Sequence, residues 1–72
     1  MQSDAEDLLD IDDALRRLGE TDPRLVRIVE LRFFAGLSAE ETAIAMGDSL
    51  RSSQRLWQEA RTQLRSLLDQ PA

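Results

Sequence analysis

Residues 36–55, which read GLSAEETAIAMGDSLRSSQR, decide the fold of this chain. Ser38 can cap a helix, and Glu41 stands three positions later, where a capping box places an acidic residue. Gly47 falls at the following bend, where a positive φ would cost a residue with a Cβ most. A second helix then begins near Ser49. The stretch is therefore predicted to form a helix-turn-helix.

The second helix of such a motif enters the major groove of DNA, so its first turns hold the candidate DNA-binding residues. Arg51 and Arg55 can contact phosphate or guanine. Ser52 and Gln54 share that surface and can reach base edges. Ser49 is predicted to cap the helix, where its amide neighbourhood can meet a phosphate.

Apolar spacing predicts two helices before the motif. A stripe with spacings of three and four predicts a helix over residues 4–18, ended by Gly19, and comprises Leu8, Ile11, Leu15 and Leu18. Asp22 then caps a second helix that has Pro23 at its first position. This helix is apolar over most of its circumference and is expected to be the most buried one, with Gly36 at its end.

Two further helices are predicted over residues 39–46 and 50–68. The inward stripe of the fourth helix comprises Leu50, Ser53, Trp57, Ala60, Leu64 and Leu67. Its outward stripe comprises Arg51, Arg55, Gln58, Thr62 and Arg65. Arg61 and Arg65 are expected to face solvent or to pair with acidic residues. No strand pattern appears, so the fold class is all-α, a small four-helix orthogonal bundle.

Composition excludes several classes of function. The 72 residues suffice for one domain, and they include no cysteine, no histidine and no tyrosine. Without these groups and without lysine, an enzyme is not expected. Asp10, Asp12 and Asp13 do not fit a calcium loop, because Ala14 stands at the fifth position of such a loop, where an oxygen ligand is needed. No metal site and no cofactor are therefore predicted.

Charge is unevenly placed along the chain. The net charge is −5, which argues against a plain nucleic-acid binder. Residues 1–22 hold eight acidic residues, whereas residues 48–72 hold three acidic residues and four arginines. There is no run of the ~20 apolar residues that a membrane span needs, and no signal peptide pattern, so no membrane contact and a cytoplasmic location are expected.

The chain from residue 12 to residue 68 resembles region 4, the C-terminal helix-turn-helix domain, of extracytoplasmic-function sigma factors. The resemblance is carried by Asp22-Pro23-Arg24, by the run ELRFFAGLS over residues 30–38, and by Glu40-Glu41-Thr42-Ala43. It implies a region 4-like fold over residues 8–68, with a polar lead at 1–7 and a tail at 69–72. The region 2 of such factors is missing, so the chain is either an excised domain or a stand-alone relative.

The resemblance also implies partners. Similar domains bind the −35 promoter element and the β flap of RNA polymerase core, and they are often held by an anti-sigma factor. Leu31, Phe34 and Leu37 are the candidate partner-binding residues. A second hypothesis is a degenerate motif that binds polymerase, an anti-sigma factor or a second copy of itself without reading DNA. The net charge of −5 and three polar residues where the family differs, Asp48, Ser53 and Gln54, favour it.

Overall fold

A computed structural model describes the backbone from residue 4 to residue 69 and the side chains from residue 10 to residue 69. It contains α1 (Asp4–Thr21), α2 (Pro23–Val29), a π-helical segment (Glu30–Phe34), α3 (Ala39–Met46) and α4 (Leu50–Asp69). No strand occurs between residues 4 and 69. The all-α fold class and the four predicted helices are therefore confirmed.

The core lies where α4 crosses the other helices, since α4 packs against α1, α2 and α3. Its buried side chains come from three helices and are those of Leu18, Leu25, Ile28, Val29, Leu56 and Ala60. With so few buried side chains, the net stability of the domain is on the order of a few kcal/mol. Each core contact therefore matters to whether the fold forms.

The prediction that Gly19 ends α1 is wrong, because the helix continues to Thr21. The amide of Asp22 still donates to the carbonyl of Leu18 at 3.1 Å. A Cβ on Gly19 would lie 3.2 Å from Cγ2 of Val26. The glycine thus serves the close approach of α2 rather than the end of α1. Leu8 of the predicted stripe lies outside the residues whose side chains are described.

The predicted start of α2 is confirmed. Asp22 has extended backbone and accepts from the amide of Arg24 at 3.0 Å, with Pro23 at the first helical position. The guanidinium of Arg24 also donates to this carboxylate, at 3.1 Å. The hydrogen bonds from the side chain and the amide of Arg24 hold the pKa of Asp22 below its ordinary value. Asp22 is therefore ionised at neutral pH, as a helix N-terminus favours.

The second helix changes geometry where it was expected to stay α-helical and apolar. The amide of Ala35 donates to the carbonyl of Glu30 at 2.8 Å, an i→i+5 bond that adds a residue to the turn. Phe33 and Phe34 are 71% and 59% exposed, so this end of the helix lies on the surface and not in the core. Phe34 is also a predicted partner-binding residue, and its exposure is compatible with that role.

The helix-turn-helix forms as predicted. Ser38 and Glu41 make both bonds of the capping box, at 3.1 and 2.9 Å. Gly47 has φ 72°, and the amide of Asp48 after it donates to the carbonyl of Ala43 at 3.0 Å. Because this left-handed residue ends α3, the chain turns back and α4 begins three residues later.

The inward face of α4 is close to the predicted stripe but rotated. Ser53 and Ala60 are buried as expected, and Trp57, Leu64 and Leu67 pack against the core. Leu50 is 39% exposed, so its inward placement is wrong. Leu56, which was not predicted, is buried instead and carries the contact of α4 with the core.

We expect the substitution Thr42→Val to raise the free energy of unfolding by about 1 kcal/mol. Thr42 is fully buried on α3, and its Oγ1 has no hydrogen-bond partner in the described part of the chain. Valine has nearly the same shape without the unpaired hydroxyl. Urea denaturation measures the change, with Thr42→Ser, which keeps the hydroxyl and loses the methyl, as the control. A Thr42→Val variant less stable than the wild type would contradict the prediction.

Candidate nucleic-acid interface

Ser49 fixes the start of α4. Its Oγ accepts from the amide of Ser52 at 3.1 Å, and its carbonyl accepts from the amide of Ser53 at 3.0 Å. The predicted capping role of Ser49 is thus confirmed. The cap sets where the first turn of α4 points, and that turn holds the candidate residues.

The candidate residues all lie on the exposed half of the first turns of α4, which we call the α4 face and define by Arg51, Ser52, Gln54 and Arg55. Arg51 and Arg55 are one helical turn apart, about 6 Å along the axis. Within residues 10–69, neither guanidinium has an ion pair or a side-chain hydrogen bond. Both arginines are therefore available to an external anion.

The acidic residue placed to pair with Arg55 is engaged elsewhere. Glu59 lies four positions after Arg55, the spacing of a helical ion pair. Its carboxylate instead accepts from the Nε2 of Gln63 at 3.2 Å. The ion pairs in the described chain lie on α1 and at the start of α2, away from the α4 face.

Two of the three polar residues at which the chain differs from the domains that it resembles lie in different surroundings. Ser53 is buried on the inward side of α4, whereas Gln54 is exposed beside Arg55. Ser53 thus belongs to the packed side of α4, as predicted. Gln54 adds a neutral amide to the α4 face, and an amide can pair with the edge of adenine.

A second surface lies between α1, the π-helical segment and α4. It is an open groove of about 670 Å³, which we call the Phe groove, and its apolar lining includes Ile11, Leu15, Phe33, Phe34, Leu64 and Leu68. The rings of Phe33 and Phe34 meet edge to face with centroids 5.3 Å apart. Arg61 and Arg65 stand along its α4 side.

The three predicted partner-binding residues are not brought together in this groove. Phe34 lines it, whereas Leu31 and Leu37 are half-buried beside the loop that leads to α3. The amide of Leu37 donates to the carbonyl of Leu31 at 3.0 Å, which holds that loop to the π-helical segment. Sequence reasoning missed Ile11 and Leu64 as groove residues, although both lay on stripes with helical spacing.

Arg32 is a further residue that the sequence did not single out. Its Nη1 donates to the carbonyl of Leu37 at 2.9 Å, and its guanidinium lies 5.5 Å from the ring centroid of Trp57. The guanidinium of Arg61 lies 5.8 Å from the same ring. Arg61 is exposed, as predicted, and its guanidinium also lies near this indole.

Two other features of the described residues bear on function. No group of three or more carboxylate, histidine or cysteine side chains in this part of the chain is placed to hold a metal ion. In the same part, every helix is too short or too polar to cross a membrane.

Comparison with known proteins agrees with the resemblance. Residues 1–70 match the family model described as ECF sigma factor. A search of curated proteins finds no match. A search of solved structures finds none either. The match spans nearly the whole chain and includes the helix-turn-helix. The members of this family are transcription factors and not enzymes. The chain belongs to the ECF sigma factor family and has a sigma-factor role in transcription.

Proposed function

We propose that residues 8–68 are a region 4 domain, flanked by a lead at 1–7 and a tail at 69–72, and that α4 docks in the major groove of a −35 promoter element. The observation that supports this most is the α4 face, on which Arg51 and Arg55 are exposed and unpaired within the described chain. The opposite side of α4 is anchored in the core by Leu56 and Ala60. The helix is thus rigidly presented to a groove.

Each residue of the α4 face has a role in this proposal. Arg51 and Arg55 contact phosphate or guanine, since a guanidinium matches both bidentately. Gln54 can pair with adenine, and Ser52 can reach either kind of base edge. Ser49 keeps the first turn in register and brings its neighbouring amides close to a phosphate.

Binding by the isolated chain is expected to be weak. The net charge is −5, and the acidic residues of α1 oppose the approach of a polyanion. Attachment to RNA polymerase would raise the effective concentration of the domain at the promoter. In this proposal the Phe groove binds the β flap of polymerase core, and an anti-sigma factor can compete for the same apolar surface.

A salt titration tests DNA binding. The anisotropy of a fluorescein-labelled −35-like duplex is measured with the wild-type chain between ~50 and ~200 mM salt. Phosphate contacts by Arg51 and Arg55 should together contribute about −1.8 to the slope of the logarithm of the association constant against the logarithm of salt. A chain that binds no duplex at the lowest salt would contradict the proposal.

The second candidate function is that of a protein-interaction module that does not bind DNA specifically. The exposed Phe33 and Phe34 favour it, because a contiguous apolar patch on a small domain marks an interaction site. No duplex binding at ~50 mM salt, together with the elution volume of a dimer, would support this module over the promoter-binding domain.

A further inference from the structure

Arg32 is held in place before any ligand arrives. It lies in the π-helical segment, is half-buried, and donates from Nη1 to the carbonyl of Leu37 at 2.9 Å. Its guanidinium also lies 5.5 Å from the centroid of Trp57, within the range of a cation–π contact. A side chain fixed by two contacts loses little rotamer freedom when it binds an anion.

Arg61 approaches the same indole from α4. Its guanidinium carbon lies 5.8 Å from the centroid of Trp57, and the side chain is otherwise exposed. Adding the two distances to the ring gives an upper limit of about 11 Å between the guanidinium carbons of Arg32 and Arg61. Two arginines are thus organised around one aromatic ring.

These two arginines flank an open polar cleft of about 410 Å³. The remaining side chains in its wall include Ser53, Gln54, Gln58 and Trp57, and no acidic residue lines it. Neither guanidinium has an ion pair within residues 10–69. Two planar cations beside neutral hydrogen-bonding groups form a site suited to a phosphate.

We infer that this cleft, the arginine clamp, binds backbone phosphate of one DNA strand while the α4 face lies in the groove. Gln54 and Gln58 belong both to the cleft wall and to the exposed side of α4, so the two surfaces are continuous. One strand of B-DNA presents a phosphate about every 3.4 Å along the axis, so two guanidiniums no more than about 11 Å apart can reach neighbouring phosphates. The inference rests on the proposed docking of α4.

The acidic residue in the middle of α4 lies away from the cleft. Glu59 is two positions before Arg61, which places the two side chains on opposite sides of a helix with 3.6 residues per turn. The pKa of Arg24 is raised mainly by its hydrogen bond to Asp22, and the charges of Asp48 and Glu59 add to the effect, so these two carboxylates act on the start of α2. A phosphate that approaches the cleft therefore meets no carboxylate from residues 10–69 in its wall.

Salt titrations of matched variants test the clamp on a fluorescein-labelled duplex of mixed sequence. Arg61→Gln should make the log–log salt slope shallower by about 0.9, and Arg32→Gln/Arg61→Gln by about 1.8. Arg65→Gln is the control, because it makes the same charge change on the same helix outside the cleft. Its slope should stay that of the wild type. If the double variant loses its helical circular dichroism, the exposed Arg61→Gln carries the test alone.

The emission of Trp57, the single tryptophan of the chain, gives a second readout. Adding duplex should shift the emission maximum of Trp57 in the wild type and in Arg65→Gln. The shift of this maximum should be smaller in Arg61→Gln. An unchanged slope in Arg61→Gln, or an equal loss in Arg65→Gln, would overturn the clamp while leaving docking of the α4 face intact. A wild-type chain that binds no duplex would overturn both.

Discussion

The double variant Arg51→Gln/Arg55→Gln is expected to lose on the order of 10-fold in duplex affinity for each arginine at ~0.1 M salt. A phosphate contact contributes about 0.9 to the log–log salt slope, so removing two contacts should reduce that slope by about 1.8. The reason is the exposure of both guanidiniums without partners in residues 10–69. If either arginine reads guanine, the loss on the cognate sequence is larger by about 1–3 kcal/mol.

The matched control for this variant is Arg16→Gln/Arg17→Gln. It changes the net charge by the same amount on α1, where the two arginines are paired with Asp12 and Asp13 at 3.2 Å. Duplex anisotropy should give an affinity close to that of the wild type. Equal losses in the two double variants would show that only the overall charge matters and that the α4 face has no special role.

The largest effect on stability is expected from Leu25→Ala. Leu25 is fully buried between α1, α2 and α4, and truncating such a residue costs about 2–5 kcal/mol. A domain of this size has only a few kcal/mol of net stability. The variant should therefore be largely unfolded at 25 °C, as judged by far-ultraviolet circular dichroism and urea titration.

Ile44→Ala is the control for the core substitution. Ile44 lies in α3 but is 81% exposed, so its truncation should change stability by no more than about 0.5 kcal/mol. If Leu25→Ala unfolded at the same urea concentration as the wild type, the packing of α2 on α4 described above would be wrong.

Local chemistry made the helix-turn-helix predictable from sequence. Ser38, Glu41 and Gly47 each satisfy a requirement of one or two neighbouring backbone groups, so their roles follow from residue type and spacing. The same holds for Asp22 and Pro23 at the start of α2. Such requirements do not depend on the rest of the fold.

Features that depend on tertiary packing were missed. Glycine is a residue type common at helix ends, but Gly19 lies within α1. Its lack of a Cβ leaves room for Val26 of α2. Phe33 and Phe34 are of a residue type that is usually buried, yet they lie in the π-helical segment and are exposed. Leu56 replaces Leu50 in the interior because α4 is rotated relative to its apolar stripe. Each of these features depends on how the helices pack together and not on the residues next to it in sequence.

The candidate interface was likewise predictable only where local geometry fixes it. Its five residues all lie at the exposed start of α4, because cap and spacing fix that geometry. The grouping of Arg32 with Arg61 around Trp57 was not predictable, because it joins residues 29 positions apart through side-chain contacts. The Phe groove was missed in part for the same reason.

Amide chemical-shift mapping with a −35-like duplex shows which surface of the domain meets DNA. The largest shifts in a ¹⁵N-labelled chain should fall on residues 49–62 of the turn and α4, with little change along α1. Shifts confined to Phe33, Phe34 and the groove beside them, or no shifts at ~50 mM salt, would contradict the proposed docking of α4.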